Sequence, residues 1–240
     1  MGPKSRTLFH FTRSLEFLKG ILTTGFYPRY CLEDTRYIGL DYYGIPMTCF
    51  CDIPMSRISD HTAFYGEYGI GMTKEWGSKN KLEPLIYVSP VGAVPDFLNY
   101  LMRTNENEIH DTNKHIYHEL TNHFTRIMVL TKPLSGNMLI GGKAVEKDFY
   151  QENEWRYVPD GCEGLSQGDF DKEKDARNLE LTKRALPFTP VDVKYLFVKS
   201  DSEIPAIFDF IQNKLGHWPL NDIKILSTRI TSLETIAKDL

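Results

Sequence analysis

The chain has 240 residues, of which 41% are apolar and 25% charged, with 13 Tyr and 14 Phe. That composition supports a sizeable core and favours strands and stacking surfaces over a plain helical bundle. A net charge of −4 with no long basic run excludes an extended track for duplex nucleic acid, and no apolar run approaches the roughly 20 residues that span a bilayer. The opening residues 1–6 lead straight into a strand-like run with no signal-peptide core. The expectation is therefore a cytoplasmic protein with no membrane partner.

In chain order, Thr7 to Thr12 reads as a short buried strand whose alternation puts Phe9 and Phe11 on one face, His10 and Thr12 on the other. An amphipathic helix follows, with Leu15, Leu18 and Leu22 aligned, Thr12 or Ser14 as its cap and Gly25 at its end. Phe26 to Gly44, rich in Tyr, Gly and charge, reads as a loop, and Ile45 to Cys51 as a second strand. Cys49 and Cys51 share one strand face, a poor disulfide geometry, so buried reduced thiols are expected of the four cysteines. Tyr68 to Met72 is a glycine-punctuated strand and Leu85 to Val88 another; residues 92–126 read as helical.

Phe149 to Val158 reads as one strand, on which Glu152, Glu154 and Arg156 share a face opposite Trp155 and Tyr157. The aromatic face is expected to pack and the charged face to line solvent or a polar cleft. Residues 160–184 read as an exposed charged loop running into a charged helical segment. Val193 to Val198 is a strand, a Ser202-capped helix follows, then a strand at Ile223 to Leu226 and a Thr231-x-x-Glu234 capping box. Strand-helix-strand units at both ends of a strand-rich middle give an α+β class and a single domain over 1–240.

Four groups of residues carry possible chemistry. His10 and Thr12 line whatever faces their side of the first strand; in the simplest structural account, His10 bonds a backbone carbonyl. Tyr65-Gly66-Glu67-Tyr68-Gly69-Ile70-Gly71 lets a backbone or a flat ligand approach closely, but matches no phosphate loop. Glu152 and Glu154, if shielded from water, repel one another, with Arg156 as compensation. His115, Glu119 and His123 share a helix face, for which a solvated polar surface outweighs a metal.

The strings Leu8-Phe9-His10-Phe11-Thr12, Phe50-Cys51-Asp52-Ile53-Pro54, Tyr65-Gly66-x-Tyr68-Gly69-Ile70-Gly71-Met72-x-Lys74-x-Trp76 and Asn153-Glu154-Trp155-Arg156-Tyr157 resemble the AbiGi family of abortive phage-infection proteins. The resemblance runs over most of the chain and implies a phage-defence role, with one member type labelled an antitoxin. The His-x-Thr strand, the tyrosines and the late glutamate are more distantly similar to ADP-ribosyltransferases, including DarT-like enzymes that modify DNA.

That second likeness implies a split, curved β-structure with flanking helices that clamps NAD, the only cofactor expected. It assigns His10 to the NAD ribose, with Phe11 and Thr12 beside it, and Tyr65 or Tyr68 to the nicotinamide. It assigns Glu154, supported by Arg156, to the ribose 2′-hydroxyl and an oxocarbenium-like transition state, and Glu152 to a nucleic-acid or protein acceptor. DarT-like enzymes carry an arginine just after the second strand, where this chain has Asp52-Ile53-Pro54, with only Arg57 near. The alternative is a non-catalytic antitoxin or sensor of the same fold that binds a cognate toxin or other partner protein.

Overall fold

In a computed structural model, residues 5–107, 123–140 and 143–239 are described. The strands, in chain order, are β1 (Thr7–Thr12), β2 (Arg29–Asp34), β3 (Tyr42–Cys51), β4 (Tyr68–Thr73), β5 (Glu83–Pro84), β6 (Ile86–Val88) and β7 (Thr131–Pro133). They continue with β8 (Ser135–Ile140), β9 (Lys143–Asp148), β10 (Glu154–Tyr157), β11 (Leu165–Ser166), β12 (Val193–Val198) and β13 (Ile230–Ser232). Helices are α1 (Leu15–Thr24), α2 (Ile58–Tyr65), α3 (Lys74–Lys79), α4 (Ala93–Asn107), α5 (Gln167–Leu181), α6 (Ile204–Lys214), α7 (Leu220–Ser227) and α8 (Leu233–Asp239). The class is mixed α+β, and among the described residues no helix is long and apolar enough to cross a membrane.

The chain divides into two compact units, each assembled from separated segments. The first comprises Met1–Tyr27, Thr48–Leu82 and Leu181–Leu240; the second comprises Pro28–Met47 and Glu83–Glu180. The chain passes from one to the other within β3.

In the first unit the strand order runs β13, β12, β4, β1 and the end of β3. β1 lies antiparallel to β4 in the register Phe9↔Gly71 and Phe11↔Gly69, and β12 runs parallel to β13. On one face Phe9, Phe11, Cys51, Ile53, Ile58 and Phe197 form a buried cluster. The glycines of β4 make room for it. A Cβ on Gly69 would stand 2.7 Å from the Phe11 ring, and one on Gly71 would stand 3.0 Å from that of Phe9. The close approach that the glycine string permits is thus taken up by the protein's own aromatic rings.

Local chemistry explains the flanking helices. Ser14, not Thr12, caps α1 by accepting the Phe17 N–H, and Thr73 caps α3 by accepting that of Trp76. The Asp-Ile-Pro string and the Lys-x-Trp string meet, because Asp52 pairs with Lys74 at 2.5 Å. Trp76 in turn donates its indole N–H to the Pro187 carbonyl. Ser200 and Glu203, rather than Ser202, form the capping box that opens into α6. Ile223 and Leu226, expected on a strand, instead lie on α7, and Ser232 takes the place of Thr231 by accepting the Thr235 N–H.

In the second unit β2 and the first part of β3 form an antiparallel pair from Arg29↔Met47 to Asp34↔Tyr42, so part of the expected 26–44 loop is a strand. β11 pairs with β3 at Leu165↔Gly44, β8 with β9, β6 with β7 in parallel, and β10 with β5. In the charged stretch 160–184 the expected helical segment is α5, which already begins at Gln167 and so takes up most of the stretch, with Asn178 accepting the Tyr30 N–H. Its polar composition suits a helix with acidic and basic residues three or four apart, such as Asp171–Lys174 and Glu173–Arg177.

Candidate functional site

The 149–158 segment departs from the single strand its pattern suggests. Phe149–Glu152 is a 3₁₀ turn, Asn153 adopts a left-handed conformation at φ 45°, and only then does β10 begin. Asparagine is among the few non-glycine residues that take this conformation readily. The result still brings Glu152 and Glu154 to one place, but by a turn rather than by strand alternation.

That place is the interior of the second unit. The charged side of β10 is the inner one: Glu154 is 5% exposed and Arg156 1%. Trp155 and Tyr157 are half-buried, so the expected burial of the two faces is reversed. Lys132, on β7, points its ammonium group at three carboxylates, Glu154 at 2.9 Å, Glu152 at 3.5 Å and Glu33 at 3.7 Å. Arg156 donates from Nε to Glu154 at 2.9 Å, from Nη2 to Glu33 at 3.1 Å and from Nη1 to the Val129 carbonyl at 2.8 Å. Lys147 on β9 closes the other side of Glu152 at 2.6 Å.

Among the described residues, three carboxylates and three cations thus meet in a largely dry setting. Burying such ions costs several kcal/mol apiece, and close oppositely charged partners are what offset it. Burial works against the Lys132 charge, yet Glu154, Glu33 and Glu152 together hold its pKa well above the usual lysine value. The backbone is also fixed here: the Glu154 N–H donates to the Tyr87 hydroxyl and its carbonyl accepts the Leu85 N–H, both at 2.9 Å. Burial raises the Tyr87 pKa, so the hydroxyl stays neutral.

The other expected site residues lie in the first unit. His10 is half-buried, its ring edged by Phe26 and Phe50 with centroids 5.4 Å away. Its Nδ1 lies 2.8 Å from the Cys49 carbonyl, which can only accept; Nδ1 therefore carries the proton, and in the neutral ring Nε2 is a hydrogen-bond acceptor. Burial lowers the His10 pKa, with the carbonyl partly opposing it. Thr12 is buried, and the Phe11 ring packs on His61 and Phe197.

Tyr65 packs against His61 with ring centroids 4.4 Å apart and the rings tilted by 30°. The Tyr68 hydroxyl donates to Glu203 at 2.8 Å, and burial followed by that carboxylate pushes its pKa up to about 12. So the structure groups Glu152, Glu154 and Arg156 in one unit and His10, Phe11, Thr12, Tyr65 and Tyr68 in the other.

Sequence reasoning missed Glu33, Lys132 and Lys147. Lys132 carried a signal, as a single lysine embedded in Val129-Leu130-Thr131 and Pro133-Leu134. An isolated charge in an apolar run is either exposed by accident or paired inside. Of the proposed metal face, His115 and Glu119 lie outside the described residues, among which no group of three His, Cys, Asp or Glu is placed to hold a metal. Of the cysteines expected to be buried, Cys51 is, Cys49 and Cys162 are half-buried and Cys31 is exposed.

A mixed α+β chain with a buried, charge-balanced cluster is the class of protein these observations define. A family profile described as "Putative abortive phage resistance protein AbiGi, antitoxin" matches residues 24–199. An abortive phage resistance protein AbiGi of Lactococcus lactis subsp. cremoris is 30% identical, over 89% of this chain and 99% of that protein. The chain belongs to the AbiGi family. No solved structure matches it.

Proposed function

We propose that this chain acts in phage defence as an antitoxin-type module, binding and restraining a cognate toxin protein rather than catalysing a reaction. The observation that carries this reading is the engagement of Glu152 and Glu154. Both oxygens of each carboxylate face a lysine or arginine within 3.5 Å, an arrangement that builds a core more readily than it binds a substrate. The antitoxin wording of the family description agrees with it. The test is co-expression of the chain with the toxin of the same abortive-infection system. Restored growth, with the two proteins co-purifying, is the expected result; growth arrest unchanged by the chain would overturn it.

One observation favours a second reading, an NAD-using ADP-ribosyltransferase with a split β-structure and a nucleic-acid or protein acceptor. His10 leaves Nε2 as a hydrogen-bond acceptor on a half-buried ring, a suitable partner for a ribose hydroxyl. In that reading His10, Phe11, Thr12, Tyr65 and Tyr68, all in the first unit, hold NAD. Nicotinamide release from NAD by purified protein, with and without cell extract or nucleic acid, decides it. Release abolished by His10→Ala in a folded variant would replace the antitoxin reading.

A further inference from the structure

No further inference is drawn: the strongest candidate, the groove between α2 and α8 floored by Ile58, Leu233 and Ile236, is an apolar surface whose bordering charges Glu67, Lys199 and Glu234 already pair within the chain, and nothing in the structure shows what covers it.

Discussion

Lys132 touches all three carboxylates of the buried cluster, so it is the residue whose loss the structure feels most. Lys132→Met leaves Glu33, Glu152 and Glu154 with Arg156 and Lys147 as their cations among the described residues, and is expected to destabilise the protein by about 3–5 kcal/mol in urea unfolding. Adding Glu154→Gln removes one negative charge and restores the balance. The double variant should recover part of the loss, by an interaction energy of about 0.5–3 kcal/mol in the mutant cycle. If the two losses simply add, Lys132 and Glu154 are not coupled and the cluster is not what holds them.

Titration gives two further tests at the same scale. The Lys132 pKa is raised by folding, so its contribution is complete below the ordinary value of 10.5 and is lost as pH climbs from there through the folded value. His10 is the opposite case, because folding lowers its pKa. Its neutral form is favoured above the ordinary value of 6.5, and below that the unfolded chain gains a proton that the native ring resists. Proton NMR should therefore show His10 titrating below 6.5, and stability should fall on the acid side of that point. A His10 resonance titrating above it would contradict the burial and hydrogen bonding described.

Among elements, β4 depends on its glycines in different ways. Gly66, just before β4, has φ +118° and a Cβ there would lie 2.2 Å from the Thr12 carbonyl oxygen, a backbone atom that cannot swing aside. Gly66→Ala should cost more than Gly69→Ala, where the obstacle is the Phe11 ring; for the latter about 1–3 kcal/mol is expected from overpacking. Thermal unfolding of the two variants ranks them. At the other end of the first unit, Ser232→Ala removes the cap of α8 and should cost about 1 kcal/mol, seen as faster amide exchange in that helix.

Legibility in the sequence also varied by element. β1, β4 and β12 were readable because apolar alternation and turn residues agreed there, and α1 because its 3.6-residue stripe was long enough to be unambiguous. Ile223 to Leu226 was not, since a four-residue apolar run has no period of its own. Pro219 before Leu220, and the burial of Ile223 and Leu226 three apart, decide for a helix. Glu33 hid in β2, whose residues look like loop because Arg29, Glu33 and Asp34 break its apolar pattern, and Glu33 reaches the cluster. The carboxylate pair and Arg156 were legible together, but the further cations Lys132 and Lys147 come from other strands, and strand pairing across long separations cannot be read from one sequence.

At the scale of the whole molecule, the strings that carry the family likeness turn out to be largely packing devices. The Phe-x-Phe of β1 sits over the glycines of β4, Asp52 ties to Lys74, and Glu154-Trp155-Arg156 frames the buried cluster. In the antitoxin reading proposed above, Glu154 holds the second unit together and does no chemistry. The most direct measurement is growth rescue, in cells carrying the toxin of the same system, by the Lys132→Met, Glu154→Gln double variant. Its fold is checked first by circular dichroism and urea unfolding. Rescue equal to that of the unaltered chain is predicted; a folded double variant that fails to rescue would contradict the claim.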